Sequence, residues 1–238
     1  FHAAAYKHVP IVEVDPYPAI RVNIQGTLNL CLLVDKYKIK NFTLVSTDKA
    51  VNPTNIMGAT KRCAEIITTY YNFNSKSIYR CTRFGNVIGS RGSAIPLFIE
   101  QIKNGGPVTL THNNITRYFM TIPEATNLVI KSSLVDNSGG VFLFDMGDPI
   151  HLKEVIENLK LYFNKPNVKI DIIGLRSGEK MYEELNSANE KLFPTSDNKI
   201  SLIKTKEPAK ITIDRLYKFI SEFKGLEISQ IKISLKNI

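Results

Sequence analysis

The sequence has few residues of the kinds that build metal centres and disulfide frameworks. Its three cysteines, Cys31, Cys63 and Cys81, lie far apart in apolar surroundings and form no CxxC pair. Its four histidines show no spacing that is typical of metal ligands. We therefore expect neither a disulfide framework nor a metal site, and the cysteine content fits a reducing cytoplasm.

Long apolar runs are also absent. A membrane-spanning helix needs roughly 20 consecutive apolar residues, whereas the densest apolar run here covers residues 28–34 and is interrupted by Asn29. No signal-peptide pattern precedes the first residues, and Phe1 is not an initiator methionine. We expect a fragment of a longer cytoplasmic protein, without a membrane span in this chain. A tether in the missing N-terminal region would hold that protein at the inner face of the cell membrane.

No basic run with interleaved aromatic residues accompanies the net charge of +9. The excess of lysine is dispersed, and much of it lies near the C-terminus among Glu and Asp. A lysine-rich, solvated surface explains this pattern better than nucleic-acid binding does, so we expect no nucleic-acid partner.

Strand-like and helix-like runs alternate along the chain. The strand-like runs cover residues 42–47, 77–84, 108–111, 141–146 and 168–173. The helix-like runs cover residues 19–37, 58–71, 95–103, 124–134, 152–163, 180–185 and 211–223. Strands that alternate with helices indicate βαβ crossovers and a mainly parallel sheet. We therefore predict an α/β fold with a doubly wound, Rossmann-like sheet.

A glycine-rich GxGxxG turn is missing. A doubly wound dinucleotide-binding fold opens with a strand, such a turn and a helix that holds the pyrophosphate. If the fold is of this type, its first strands lie upstream of Phe1, and residues 1–106 form a partial dinucleotide-binding domain. The predicted strands and helices become shorter after residue 106. We expect residues 107–238 to combine a smaller substrate-binding region with elements that return to the core.

The segment STDKAVNPTNIMGATK, residues 46–61, gathers ionisable groups. Thr47, Asp48 and Lys49 follow a strand, and active sites in open α/β sheets lie at the carboxyl ends of strands. Lys61 lies on the next helix, about one turn after Met57, so that both can face the same cleft. These groups suit acid–base chemistry. From spacing alone, a surface salt bridge beside a helix start is the alternative.

Six motifs occur in order over most of the chain, from His2 to about Leu185. They are HAAAYKHVP, NxxGTxN, STDKAVNPTNIMGATKR, RFGNVIGSRGSAIPLF, RYFMTIPEA and GLRSGEKMYEEL. Together they resemble the nucleotide-sugar 4,6-dehydratases of the extended short-chain dehydrogenase/reductase family. More narrowly, they resemble the UDP-N-acetylglucosamine 4,6-dehydratases of bacterial polysaccharide and glycan synthesis.

The resemblance implies a tightly bound NAD that takes a hydride from C4 of the sugar and returns it to C6 after water has left across C5 and C6. It assigns Asp48 as the acid that protonates the leaving C6 hydroxyl and Lys49 as the base that takes the C5 proton. It assigns Thr47 to the sugar O4. Lys61 is assigned to the nicotinamide ribose, where its charge lowers the pKa of its neighbours.

Met57 is a departure from the wider family, which has a tyrosine four residues before the lysine. A thioether cannot accept the proton of the sugar hydroxyl at useful pH. The resemblance includes a branch of the UDP-N-acetylglucosamine dehydratases that has Met at this position and retains activity. We therefore hypothesise that the O4 proton goes to Asp48 or to a water held by Thr47 and Lys61.

The resemblance also places residues beside the cofactor. Ala3, Ala4 and Ala5 follow a central strand, where small residues let the backbone approach NAD, and tight packing is the alternative. Asn23 lies on the next helix. The family has an Asn there that supports the active-site loop, so that cofactor contact and a structural role both remain open.

Substrate-binding residues are implied in the same way. Lys7 and His8 match positions beside the sugar, with a solvated loop as the alternative. Asn86, Arg91 and Ser93 belong to a glycine-rich loop, where Ser93 can cap a helix whose N–H groups favour phosphate. The alternative is a capped glycine loop without a ligand.

Two arginines are the best candidates for the UDP diphosphate. The guanidinium groups of Arg117 and Arg176 match phosphate oxygens bidentately. Glu179 then meets the ribose hydroxyls. A salt bridge between Arg176 and Glu179 is the alternative and would make this arginine structural.

These features together predict a hydro-lyase that acts on UDP-N-acetylglucosamine with NAD and yields a UDP-4-keto-6-deoxy-N-acetylhexosamine. The Met branch and the GEKMYEEL ending resemble members that retain configuration at C5, and we expect a homo-oligomer. A UDP-sugar 4-epimerase is a second interpretation. An inactive fragment that serves as an interaction module is a third.

Overall fold

The computed structural model describes residues 1–135 and 138–238. The chain divides into two compact units. The core unit comprises residues 1–84, 128–145 and 184–238, and the second unit comprises residues 85–127 and 146–183. Residues 85–106, which are predicted from the sequence to lie in the dinucleotide-binding domain, belong to the second unit, and residues 128–145 and 184–238 belong to the core unit.

The helices begin and end as follows. The α-helices are α1 (Val9–Val14), α2 (Tyr17–Ala19), α3 (Gly26–Lys36), α4 (Ile56–Asn74), α5 (Ala94–Lys103), α6 (Ile122–Ser132), α7 (Leu152–Tyr162), α8 (Lys210–Glu222) and α9 (Ile228–Lys236). A π-helical segment, Ile20–Gln25, joins α2 to α3, and 3-10 turns cover Asp48–Ala50 and Phe223–Gly225.

The strands are shorter than the helices. They are β1 (Asn41–Val45), β2 (Ile78–Arg83), β3 (Asn86–Val87), β4 (Val108–Leu110), β5 (Thr116–Arg117), β6 (Phe119–Met120), β7 (Gly140–Phe144), β8 (Ile150–His151), β9 (Ile170–Ile172), β10 (Leu192–Pro194) and β11 (Ile200–Ile203).

The core unit is built on a sheet with the strand order β1-β2-β7-β11-β10. Strands β1, β2 and β7 are parallel, whereas β11 is antiparallel to both of its neighbours. On the other side of β1, His2 forms a parallel bridge to Leu44. The predicted α/β fold with a mainly parallel sheet is confirmed.

Helices cover this sheet and bury an apolar core. Helix α4 packs on β2 and α3, and α8 and α9 pack on α4. Fully buried core residues come from both helices and strands, among them Ile24, Cys31, Leu44 and Ala64. β-branched and aromatic residues dominate β1 and β7 because these strands are covered on both faces.

The second unit has short strand pairs around a small core of its own. β3 pairs with β6 and β4 with β9 in parallel, and β5 pairs with β8 antiparallel. Helices α5 and α7 pack on each other and on β4. Their buried contacts centre on Phe98, Ile102, Leu110, Ile115 and Ile156.

One predicted helix, at residues 180–185, is wrong. The structure shows no regular helix there because the backbone is bonded elsewhere. The carbonyl oxygen of Met181 accepts hydrogen bonds from the backbone N–H of Thr116 and from the guanidinium of Arg117. The predicted helix at 19–37 is present but contains the π-helical segment. Within the described residues, no helix is long and apolar enough to cross a bilayer.

Candidate active site

The loop that follows β1 is fixed to the end of β2. The backbone N–H of Ser46 donates to the carbonyl oxygen of Thr82 at 2.7 Å, and that of Asp48 donates to Phe84 at 3.1 Å. The side chain of Thr47 accepts a weak bond, 3.4 Å, from the N–H of Lys49 at the start of the 3-10 turn. The predicted catalytic triplet therefore stands at the carboxyl end of two parallel strands.

Asp48 is the centre of this triplet. Its Oδ1 accepts a hydrogen bond of 2.8 Å from the Thr47 hydroxyl and one of 3.0 Å from Lys49 Nζ. The Asp48 side chain is fully buried, and its Oδ2 has no hydrogen-bond partner among the described residues. A buried carboxylate oxygen without a partner is costly, so such an atom marks a place for a proton or a ligand.

Helix α4 begins against the same loop. The side chain of Asn55 caps it by accepting a bond of 2.7 Å from the N–H of Gly58. A Cβ atom at position 58 would overlap the carbonyl oxygen of Lys49. Glycine is therefore required here by the close approach of the helix to the Asp48–Lys49 turn.

Lys61 reaches back from α4 to the end of β1. Its Nζ donates to the carbonyl oxygen of Val45 at 2.7 Å. Burial lowers the pKa of Lys61 to about 8, with Glu65 acting in the opposite direction. Burial and the charge of Lys61 together lower the pKa of His2 to about 4. The imidazole of His2 is therefore neutral near pH 7, within hydrogen-bond distance of the Thr27 hydroxyl at 3.1 Å.

Met57 contributes to the apolar core. Its side chain is only 3% exposed and belongs to the same buried cluster as Ile56 and Ile67. Its carbonyl oxygen accepts a bond of 2.7 Å from the Thr60 hydroxyl. The thioether therefore occupies a packing position.

Asn23 holds the loop that follows His2. Its amide forms two bonds of 2.9 Å with the backbone of Tyr6, accepting from the N–H and donating to the carbonyl oxygen. It also donates to the Thr60 hydroxyl at 2.9 Å, next to Lys61. The buried amide thus ties this loop to α4, and its contact with the cofactor stays a prediction.

The other predicted neighbours of the cofactor and sugar lie at the start of the core unit. Ala3, Ala4 and Ala5 are exposed, and His8 is half-buried. Burial and the charge of Lys49 lower the pKa of Lys7. Lys7 is itself exposed on the loop that follows His2.

In the second unit, Arg117 is buried among acceptors. It donates to the carbonyl oxygens of Thr116 at 2.7 Å and Met181 at 3.1 Å, and its Nη2 lies 3.3 Å from Glu179 Oε1. Its Nε is 3.9 Å from Glu183. The guanidinium that was predicted to bind diphosphate is therefore engaged by protein groups.

Arg176 is exposed, and it meets Glu179 through its backbone. Its N–H donates to Glu179 Oε2 at 3.1 Å, while Glu179 Oε1 accepts from the Thr111 hydroxyl at 3.1 Å. Glu179 thus joins Thr111, Arg117 and the backbone of residue 176. Its side-chain ion pair is with Arg117, whereas the alternative considered from the sequence was a bridge to Arg176.

The glycine-rich loop of the second unit is placed as follows. Asn86 is half-buried in β3, and Arg91 is exposed. Ser93 occupies the N-cap position of α5, as expected, but its hydroxyl makes no capping bond. The buried Ser93 Oγ has no hydrogen-bond partner among the described residues.

Several residues at the site were not predicted from the sequence. Ser46, Glu65, Arg83 and Glu190 form a buried network beside the triplet, and Gly58 allows α4 to approach it. A signal existed for Glu65, which follows Lys61 by one helical turn on the same face of α4. No local pattern connects Arg83 to Glu190, because more than a hundred residues separate them.

Comparison with known proteins identifies the family. Residues 1–205 match the family described as "Polysaccharide biosynthesis protein". The chain belongs to this family. The resemblance drawn from the motifs is therefore confirmed at the level of the family.

Two relatives of this chain carry names that describe different functions. The capsular polysaccharide biosynthesis protein CapD of Staphylococcus aureus is 50% identical over 193 residues, which cover 80% of this chain and 32% of CapD. A UDP-glucose 4-epimerase of Rickettsia bellii is 40% identical over 194 residues, which cover 80% of this chain and 56% of the epimerase. The chain thus spans less than two thirds of either relative.

A solved structure supports the fold. The X-ray structure of Pen from Bacillus thuringiensis superposes with a TM-score of 0.80 at 37% identity. The match covers 88% of this chain and 67% of Pen. The Rossmann-like α/β architecture of this chain is therefore shared with a solved relative.

Proposed function

We propose that the chain carries the catalytic residues of an NAD-dependent hydro-lyase. The enzyme converts UDP-N-acetylglucosamine to a UDP-4-keto-6-deoxy-N-acetylhexosamine with retention at C5. The supporting observation is the Thr47–Asp48–Lys49 group, in which a hydroxyl and an amine share one carboxylate oxygen while the other oxygen is buried without a partner in the described chain. Dehydration across C5 and C6 needs an acid and a base on neighbouring carbons, and this turn supplies both.

The start of the core unit fits a dinucleotide. Ala3, Ala4 and Ala5 are small and exposed, so they leave the backbone open to approach. The buried ammonium of Lys61, at the end of β1, suits the hydroxyls of a ribose. Bound NAD would supply a hydride acceptor for C4 and a hydride donor for C6.

Thr47 and Asp48 provide a route for the O4 proton that does not involve position 57. The Thr47 hydroxyl already donates to Asp48 Oδ1. Its oxygen takes the proton from O4 as C4 is oxidised, and its own proton passes to Asp48. The carboxylate thereby becomes a carboxylic acid. Met57 has no proton to accept in this scheme, which agrees with its position in the core.

Lys49 and Asp48 then act together on the 4-keto sugar. Lys49, as the neutral amine, takes the C5 proton, and the C5–H electrons form the C5–C6 double bond as the C6–O6 bond breaks. Asp48 protonates O6, which leaves as water. Lys49 returns a proton to C5 when C6 is reduced. Each residue ends the cycle with the protons it began with.

We propose that the residues predicted from the sequence bind the UDP moiety. Arg176 is the better of the two predicted diphosphate ligands because its side chain is exposed, whereas the guanidinium of Arg117 is engaged by two backbone carbonyl oxygens and two carboxylates. Asn86, Arg91 and Ser93 remain candidates for further contacts. The hydroxyl of Ser93, which has no hydrogen-bond partner within residues 1–135 and 138–238, is the most direct of these.

Variants of the triplet in the full-length protein test this function. We expect Asp48→Asn and Lys49→Ala to lower turnover of UDP-N-acetylglucosamine by about 100- to 10,000-fold, because each removes a general acid or base. Product formation is followed by mass spectrometry. Lys40→Ala, which removes an exposed amine elsewhere in the core unit, is the matched control and should behave like the wild type. Near-normal turnover in both triplet variants would refute the assignment.

A UDP-sugar 4-epimerase is the second candidate, and the similarity to the Rickettsia protein favours it. The two activities differ in their products. An epimerase returns the hydride to C4 and keeps O6, so its product has the mass of the substrate, whereas the dehydratase product has lost one water.

A further inference from the structure

The helix that carries Lys61 also carries a buried carboxylate, which bonds to the residue just before the triplet. Glu65 is 1% exposed. Its Oε1 accepts a bond of 2.7 Å from the Ser46 hydroxyl and one of 3.2 Å from Arg83 Nε, and its Oε2 accepts from Arg83 Nη2 at 2.8 Å and from Arg62 at 3.0 Å. Glu65 therefore joins the end of β1, the end of β2 and helix α4.

Arg83 extends this network to a distant part of the chain. Its two terminal nitrogens donate to Glu190 at 2.8 and 3.2 Å, and Nη1 also donates to the carbonyl oxygen of Leu185 at 3.4 Å. Glu190 in turn accepts from the backbone N–H of Ser187 at 2.8 Å. One guanidinium thus fastens residues 185–190 to the carboxylate that holds Ser46.

We propose that Glu65 is a positioning residue for the reaction proposed above: it fixes Ser46, and hence the adjoining triplet, relative to Lys61, and its buried carboxylate one helical turn away is the counter-charge of the Lys61 ammonium. This proposal depends on the proposed function, because the role serves that reaction. The contacts of Glu65 with Ser46, Arg83 and Arg62 do not depend on it, because they belong to the folded chain whatever reaction it catalyses.

The electrostatics around Lys61 support this role. Three ionisable groups act on its ammonium: Glu65 on its own helix, Cys81 on β2 and His2 beside β1. Burial raises the pKa of the Cys81 thiol and lowers that of His2, so both are neutral near pH 7. Glu65, whose pKa is lowered to about 2 by Arg83 and Arg62 despite its burial, is the anion of this set. Removal of its charge must therefore lower the pKa of Lys61.

The direct test is an NMR titration of the Lys61 side chain in 13C-labelled protein of this sequence. We expect a midpoint of about 8 in the wild type. We expect it to fall by about one pH unit or more in Glu65→Gln, because a buried charge about one helical turn away is lost. Ser46→Ala is the matched control: it removes a hydrogen bond but keeps the carboxylate, and should leave the midpoint near 8. An unchanged midpoint in a folded Glu65→Gln protein would overturn the proposal.

If Glu65→Gln does not fold, Glu65→Asp replaces it. The shorter side chain keeps the charge, so the midpoint should stay near 8, but it withdraws the carboxylate from Ser46 and Arg83 by one methylene, so kcat should fall. A kcat equal to that of the wild type in a folded Glu65→Asp protein would overturn the proposal. Circular dichroism identifies which variants are folded.

Kinetics of the full-length protein test the positioning of the triplet. We expect Ser46→Ala and Glu65→Gln each to lower kcat by about 100-fold with little change in KM, since a small misplacement of reacting groups acts on the chemical step. Unchanged kcat in both variants would overturn the positioning role. If the wild type does not dehydrate its substrate, the proposed function fails, while the titration still decides the influence of Glu65 on Lys61.

Discussion

At the scale of single residues, the site depends on how two oxygens of one carboxylate differ. Asp48 Oδ1 accepts bonds from Thr47 and Lys49, and Oδ2 has no hydrogen-bond partner in the described part of the chain. This asymmetry gives one carboxylate a fixed orientation and a free position for a proton. Position 57 has the opposite character, because Met57 is surrounded by apolar side chains.

Substitution of Met57 tests whether the sulfur has a chemical role. Met57→Leu conserves volume and polarity, so we expect activity to be retained and the free energy of unfolding to change by less than about 1.5 kcal/mol. Met57→Ala leaves a cavity and should lower that free energy by about 2–5 kcal/mol. Urea denaturation measures both. A folded Met57→Leu protein without turnover would show that the thioether takes part in the chemistry.

At the scale of elements, the first turn of α4 sets the position of the Asp48–Lys49 turn. Asn55 caps the helix, and Gly58 lets it approach the Lys49 carbonyl. The side chain of Glu13 adds a second cap, since its Oε1 accepts from the N–H of Ile56 at 2.7 Å. The same carboxylate is paired with Lys232 of α9 at 2.8 Å, so the C-terminal helix contributes to the start of α4.

Gly58→Ala tests this close approach. Alanine favours a helix by about 1 kcal/mol over glycine, but its Cβ would overlap the Lys49 carbonyl oxygen. We therefore expect a net loss of about 1–3 kcal/mol in the free energy of unfolding. Gly26→Ala at the start of α3 is the control, since a Cβ there would be 3.5 Å from the nearest atom, the Arg21 carbonyl oxygen. Gly26→Ala should be neutral or stabilising, and equal effects at both positions would contradict the steric explanation.

Strands and helices are predicted well from the sequence where burial of one face gives the apolar residues a regular spacing. Strands β1, β2 and β7 and helices α4 and α8 follow from their apolar patterns. Residues 180–185 did not become a helix because Met181 bonds to Thr116 and Arg117, a contact between distant parts of the chain that no local propensity reports. Strands β10 and β11 were also missed, because antiparallel strands of three and four residues carry little periodic signal.

Part of the candidate site could be predicted because Thr47, Asp48 and Lys49 are neighbours in the chain. Their convergence follows once the strand before them is predicted correctly. Arg117 was predicted as an anion ligand because of its chemistry. Two of its three hydrogen-bond acceptors, Met181 and Glu179, are more than sixty positions away, which the sequence does not show. The bonds from Arg83 to Glu65 and Glu190 also join residues that are far apart in the chain.

At the scale of the whole molecule, family membership and fold are established, and the activity follows as a proposal. The chain covers 32% of CapD and 56% of the Rickettsia epimerase. Relatives of such different names each match 80% of this chain, so the family alone does not choose between dehydration and epimerisation. The chemistry of the triplet supports dehydration, because it joins an acid to a base on one turn.

The most direct test of dehydration is the reaction of the full-length protein with UDP-N-acetylglucosamine in D₂O, followed by NMR and mass spectrometry of the product. We predict the loss of one water, deuterium at C5 and the original C4 hydrogen at C6. Deuterium enters at C5 because the Lys49 ammonium carries solvent deuterons beside the proton it has removed. A product with the substrate's C6 hydroxyl and no deuterium at C5 would contradict the account.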